Sequence, residues 1–188
     1  MKILLLGANG QVGWELQRSL APLGQMKAYD RHALDLGNFE SLRACVRDHR
    51  PEVIVNAAAY TAVEKAESEH DKANRINAEA VAILADEAKQ LNACLIHYST
   101  DYVFDGTKSN AYLETDETNP QSVYAKTKLQ GEEAIKMSEC NHLIFRTSWV
   151  FATRGSNFAK TMIRLAKEQE ELKIVNDQFG VPTSAELI

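Results

Sequence analysis

Tyr124 and Lys128 are four residues apart, the spacing that sets two side chains one above the other on a helix face. An ammonium beside a phenol favours the phenolate, so a tyrosine in that setting can give or take a proton near neutral pH. The Tyr-x-x-x-Lys pattern is common by chance and alone more often describes a solvated helix face. Its company raises the chemical reading. Ser99 and Thr100 close an apolar run and offer hydroxyls that could hydrogen-bond a carbonyl oxygen protonated by Tyr124. Gly7, Gly10 and Gly13 follow another apolar run, and the small residues Ala57, Ala58 and Ala59 follow a third, where a flat ligand could lie against the backbone.

Such groups need a rigid frame, and alternating apolar runs and helical spacings supply one. Lys2 to Leu6 reads as a strand entering a glycine turn, and Val12, Leu16 and Leu20 share one helical face until Pro22 and Gly24 end it. The turn has the form G-x-x-G-x-x-G, its middle glycine one place later than in G-x-G-x-x-G. That order suits a tight turn, a backbone close to a pyrophosphate and a helix packed on its strand, with the phosphates at the helix N-terminus. A tight strand-to-helix turn with no ligand is the plain alternative. The next strand, Met26 to Tyr29, ends in Asp30, within the roughly 20-residue reach of an acid that binds an adenosine ribose.

A helix carrying Phe39, Leu42 and Val46 follows, then a strand from Val53 to Asn56, a helix from Ala73 to Leu91 and a strand from Cys94 to Tyr98, in which His97 reads as filler. Asp105 to Asn119 is polar and reads as a surface loop. A helix with Pro120 in its first turn runs to about Met137. His142 to Thr147 is a fifth strand, Phe158 to Lys167 a helix, Leu172 to Val175 a sixth strand, and the last four residues resemble the start of another helix. Alternation of this kind predicts an α/β fold, a doubly wound parallel sheet of the NAD(P)-binding Rossmann type in one domain, 1–188, with its crevice at the carboxyl ends of the strands.

Composition narrows the partners. A net charge of −5 with no basic cluster argues against nucleic acid. No run is long enough to span a bilayer and the opening apolar residues are too few for a signal peptide, so a cytoplasmic location with no membrane partner is expected. Cys45, Cys94 and Cys140 are odd in number, widely spaced and without flanking histidines, which indicates neither a disulfide framework nor a metal site. Binding of a divalent metal by surface acids such as Glu15, and assembly as a homodimer, stay open.

Gly7 to Gly13, Ser99 to Gly106 and Tyr124 to Lys128 together resemble the extended short-chain dehydrogenase/reductases. Asn56 to Glu67, Phe145 to Phe151, Asn157-Phe158 and Asn176 to Thr183 are similar, more narrowly, to the dTDP-4-dehydrorhamnose reductase family. That resemblance implies NAD(P)H-dependent reduction of the C4 ketone of dTDP-4-dehydro-L-rhamnose to dTDP-L-rhamnose, a precursor of O-antigen polysaccharide. It implies catalytic roles for Tyr124 as proton donor, Lys128 on the nicotinamide ribose and Thr100 on the ketone, with Asn77 supporting the lysine through water.

The cofactor, NADPH or NADH, would contact Gly7, Asn9, Gly10, Gln11, Val12, Gly13, Asp30, Arg31, Asp35, Leu36, Ala57, Ala58, Ala59 and Tyr60, besides Tyr124 and Lys128. Asp30 would take the ribose hydroxyls and Arg31 a 2′-phosphate. The sugar nucleotide would meet Val63, Thr100, Asp101, Tyr102, Trp149 and Asn157, although Val63 also reads as core, Tyr102 and Trp149 as packing aromatics and Asp101 as a turn cap. Members of that family continue beyond the length of this chain. The substrate lobe is therefore expected to be only begun, at about 149–188, and the chain to bind dinucleotide while turning over poorly. Two alternatives remain: a non-catalytic nucleotide-binding regulatory subunit of the same fold, or another sugar-nucleotide reductase or epimerase. Thr100 followed by Asp101-Tyr102, rather than by an Asp-Glu pair, argues against a dehydratase.

Overall fold

The computed structural model describes residues 1–188. Ile3 to Leu6 are all buried, so strand β1 (Lys2–Leu6) is covered on both faces, as a central parallel strand must be. Helix α1 (Gln11–Leu20) returns the chain to β2 (Gln25–Tyr29), and α2 (Phe39–His49) leads to β3 (Val53–Asn56). Next come α3 (Val63–Ala66), α4 (His70–Asn74), a π-helical segment (Arg75–Glu79) and α5 (Ala80–Leu91), before β4 (Cys94–Thr100). The chain continues through α6 (Val123–Ser138), β5 (Asn141–Thr147), β6 (Val150–Phe151), α7 (Phe158–Glu168) and β7 (Thr183–Ser184).

The five long strands form one parallel sheet in the order β2-β1-β3-β4-β5, and β6 pairs with β7 in a separate parallel pair. This bears out the α/β, doubly wound reading. The larger core lies on one sheet face, where Leu4, Leu6, Ile54 and Leu95 meet Leu42 and Val46 of α2, Leu84 of α5 and Ile135 of α6. On the other face Ile3, Leu5 and Val55 pack on Leu16 of α1. A buried carboxylate links two of the helices: Glu87 of α5 accepts hydrogen bonds from Arg43 and Arg47 of α2 at 2.6–3.0 Å.

Three expectations are corrected. Leu172 to Val175 pairs with nothing, and Ile174 and Val175 lie exposed, so the main sheet stops at β5; an apolar run this short carries no period that separates strand from coil. Helix α6 starts at Val123 rather than around Pro120, because the Ser122 side chain accepts from the Ala125 N–H at 3.2 Å and caps it there. The last residues make a turn closed by the Leu187 N–H on the Ser184 carbonyl at 3.0 Å, rather than a helical start.

Glycine is needed where β1 turns into α1. Gly7 has φ +83°, and a Cβ there would sit 2.7 Å from the Ala58 nitrogen and 2.8 Å from the Ala57 carbonyl. A Cβ on Gly13 would in turn collide with the Gly7 carbonyl, so the helix can lie this close to its strand only without one. Gly7→Ala adds a left-handed alanine, a cost of about 1–2 kcal/mol, to that backbone collision. Urea unfolding should therefore show a loss of at least about 2 kcal/mol; an unchanged midpoint would mean that this turn is not packed against β3.

Candidate active site

In a sheet of order 2-1-3-4-5 the strand order reverses between β1 and β3, and ligands of such sheets sit at that reversal, beyond the carboxyl ends. A cleft of about 400 Å³ opens there. Gly7, Asn9, Gly10, Gln11 and Val12 form its floor, Asp30, Arg31, Asp35 and Leu36 one end, and Ala57, Ala58, Ala59 and Tyr60 the wall. Tyr124 and Lys128 line the opposite end with Tyr98, Ser99 and Thr147. Gly13 alone of the expected dinucleotide contacts is outside the lining, tucked against Gly7. Leu34, Thr61, Ile76 and Val150 line the cleft without having been expected to, since nothing in their types or spacing separates a cleft residue from an ordinary packing or surface one.

Helix α1 begins at the floor with Gly10 as N-cap and no side-chain cap, which leaves its first-turn N–H groups for an anion. The acid end is more constrained than its sequence implies. Asp30 Oδ2 accepts from the Asn9 amide at 2.5 Å, and its Oδ1 accepts the His32 and Ala33 N–H groups at 3.0 and 2.9 Å. Asp30 thus caps its own turn, while Arg31 lies exposed beside it. Asp35 likewise accepts the Gly37 N–H at 2.9 Å, and buried Leu34 and Leu36 anchor the loop that carries these acids.

At the other end, Thr100 closes β4. Its hydroxyl accepts the Tyr102 N–H at 3.2 Å, donates to Asp101 Oδ1 at 3.3 Å and lies beside the phenol of Tyr124. The Tyr102 ring meets that of Tyr124 edge to face, 6.2 Å between centroids. Ser99 is not available for the same task, because its hydroxyl donates to buried Glu132 at 2.5 Å. Burial pushes the Glu132 carboxyl up, but hydrogen bonds from Arg146 and Ser99 outweigh it and hold it below the ordinary value.

The expected effect of Lys128 on Tyr124 is absent. Lys128 is 1% exposed, and its Nζ donates to the Tyr98 carbonyl at 2.6 Å and lies 3.1 Å from His97 Nε2, so its hydrogen bonds are spent on β4. Burial pushes the lysine down to about 8, against the pull of Glu132. Burial likewise pushes Tyr124 up to about 12; the Thr100 hydrogen bond opposes the rise, and Asp101 and Tyr102 add to it. Burial also raises Asp101. His97, read from sequence as filler, is fully buried against Lys128. Its period-2 position marks it as inward-facing, but only the fold brings Lys128 to it.

Asn77 makes its direct hydrogen bonds elsewhere than to Lys128. From the π-helical segment its Oδ1 accepts the Tyr60 N–H at 2.8 Å, and its Nδ2 faces the Tyr60 carbonyl at 3.1 Å and Thr127 Oγ1 at 3.2 Å, fastening the cleft wall to α6. Among the expected sugar contacts, Asp101 and Tyr102 adjoin Tyr124, and half-buried Val63 begins α3. Trp149, at φ 44°, lies against Gly180. Asn157 stands apart: it caps α7 and donates to Gln11 Oε1 at 2.9 Å and the Ala152 carbonyl at 2.8 Å. No group of three or more His, Cys, Asp or Glu could hold a metal ion, and no helix is long and apolar enough to cross a membrane.

The family model described as RmlD substrate binding domain matches residues 1–188. The chain is 57% identical to dTDP-4-dehydrorhamnose reductase of Escherichia coli (strain K12), aligning over 100% of its own length and 64% of that protein's. It thus spans just under two thirds of that relative. The crystal structure of a dTDP-4-dehydrorhamnose reductase from Clostridium acetobutylicum superposes with a TM-score of 0.94 at 44% identity, covering 99% of this chain and 66% of that one. The enzyme of the same name from Bacillus anthracis, crystallised in complex with NADP, gives 0.92 at 39% identity, over 98% and 66%. With the match running the length of the chain and two of these structures reproducing its fold, the chain belongs to the RmlD substrate binding domain family.

Proposed function

We propose that this chain carries the dinucleotide site and the proton-transfer groups of a reductase that converts dTDP-4-dehydro-L-rhamnose to dTDP-L-rhamnose with NADPH or NADH. One observation carries the reading: Tyr124 and Lys128 line one end of a cleft whose floor is an uncapped helix N-terminus behind a glycine turn, and Thr100 closes β4 beside Tyr124. The uncapped amides suit a pyrophosphate, and the alanine wall suits a flat ring lying against backbone. Gly7, Asn9, Gly10, Gln11 and Val12 would hold the phosphates, Arg31 the adenosine end, and Tyr60 with Ala57 to Ala59 the face of the cofactor. When bound, the dinucleotide supplies the hydride that reduces the ketone carbon.

The chain's own residues manage the proton. A phenol held near 12 is a fully protonated donor at neutral pH, and the Thr100 hydroxyl beside it orients the ketone oxygen for transfer. Asp101 and Tyr102, beside Tyr124, would contact the sugar together with Val63 and Trp149, whereas Asn157 acts through Gln11 on the glycine turn. Because Asp30 already serves Asn9 and its own turn, discrimination between the two dinucleotides falls mainly to Arg31.

The direct assay mixes the chain with dTDP-4-dehydro-L-rhamnose and follows loss of NADPH absorbance; binding of NADPH with no turnover at any chain concentration would favour the non-catalytic alternative. Tyr124→Phe should lower turnover by roughly 10²- to 10⁴-fold with NADPH affinity retained, and near-normal turnover would remove Tyr124 from the mechanism. Arg31→Ala should weaken NADPH relative to NADH, and an unchanged ratio in a binding titration would assign the discrimination elsewhere.

A further inference from the structure

Between α4 and α5 the chain is wound as a π-helix, and three consecutive residues there serve three different parts of the cleft. Arg75 serves one end: its Nε donates to the Gly37 carbonyl at 2.7 Å, and its guanidinium lies 4.0 Å from the centre of the Phe39 ring. Ile76 lines the cleft itself and packs on two clusters, the large core and the small one of Tyr60, Ala66 and Ala73, on which Val123 and Tyr124 also pack. Asn77 holds the wall through the Tyr60 N–H and α6 through Thr127. Local widening of this kind recurs inside helices at functional sites.

Gly37 belongs to the loop between β2 and α2, which brings Asp30, Arg31, Asp35 and Leu36 to the cleft. That loop is folded mostly on itself. The Leu34 N–H bonds the Asp30 carbonyl at 3.0 Å, the Asn38 N–H the Asp35 carbonyl at 2.9 Å, and the Gly37 N–H the Asp35 side chain at 2.9 Å. Such bonds give the loop its shape but travel with it, so they do not fix its distance from the alanine wall. Buried Leu34 and Leu36 seat its base. Two side-chain bonds tie it to other elements: Asn9 holds Asp30 where the loop starts, and Arg75 holds Gly37 close to where it ends. Phe39 opens α2, so one guanidinium grips both the loop and the helix after it.

We infer that Arg75 is a positioning residue for the adenosine half of the dinucleotide, an inference that rests on the cleft being the dinucleotide site proposed above. With Asn77 two residues on, it makes the π-helical segment a strut between that loop and the wall that carries Tyr60. A dinucleotide must touch both ends at once, and a site already held to the right span loses less free energy in ordering its loop when the ligand arrives. Without the Arg75 bond the loop end that carries Asp35 is released, while the wall keeps its fastening through Asn77. The loss should therefore fall on one half of the ligand.

Two neutral replacements isolate the bond. Glutamine carries an N–H donor as many bonds from the backbone as Arg75 Nε, and methionine has similar length without one. The 188-residue chain is titrated with ADP-ribose, which holds the adenosine half, and with reduced nicotinamide mononucleotide, which holds the other. Arg75→Met should weaken ADP-ribose roughly three- to tenfold and leave the mononucleotide unchanged, which also shows that the variant is folded; Arg75→Gln should stay within about twofold of the parent for both. Equal weakening of ADP-ribose by the two variants would assign the effect to the lost charge and overturn the inference. Equal weakening of both halves, or of neither, would overturn it too. If the parent binds neither ADP-ribose nor NADPH, the reading of the cleft as a dinucleotide site fails, and the inference falls with it.

Discussion

The constraint on which the cleft depends is the close passage of the Gly7 backbone beside Ala57 and Ala58, where β1 and β3 leave the sheet together. Both strands must end at the same level for the cleft to exist, and a side chain at residue 7 would drive them apart. From that contact the rest follows in sequence. α1 can start at the floor with its amides free, β4 can run past the end of β3 to finish at Thr100, level with Thr147 of β5, and α6, packed over β4, can bring Tyr124 and Lys128 to the same opening.

A second requirement is that the polar groups below this opening be satisfied. Each buried side-chain nitrogen or oxygen has a hydrogen-bond partner. Glu132 is held by Ser99 and Arg146, Asn77 by Tyr60 and Thr127, and Lys128 by His97 and Tyr98. Such networks fix one arrangement of the helices on the sheet, because any shift leaves a group unpaired in a medium of low dielectric. The π-helical segment belongs to this requirement: a tightly wound helix interrupted at Arg75–Glu79 turns Asn77 inward at the height of Tyr60.

Periodicity made most of the sheet legible. The apolar run Ile3 to Leu6 of β1, the alternation of strands with helical spacings, and the glycine turn are local patterns, and local patterns survive in a bare sequence. What was lost depends on distant partners. Leu172 to Val175 has the composition of a strand but no neighbour to pair with, and Pro120 was outbid as a helix start by a serine side chain two residues later. In the candidate site, Tyr124, Lys128 and Thr100 could be named from type and spacing. The direction in which Lys128 spends its hydrogen bonds, the capture of Ser99 by Glu132 and the engagement of Asp30 by Asn9 are set by side chains tens of residues away. His97 was passed over for the same reason.

The two borders of the main sheet are unlike. β2 alternates Gln25 and Lys27 outward along its free side, polar residues of the kind that discourage further strands from adding. β5, seven residues long, presents Leu143 and Phe145 to solvent, 51% and 44% exposed, on a strand that has a hydrogen-bonded neighbour on one side only. Unpaired backbone groups next to apolar side chains make a template on which another extended segment can lengthen the sheet. In concentrated solution it is therefore β5, not β2, along which copies of this chain would zip together unless something else lies over it.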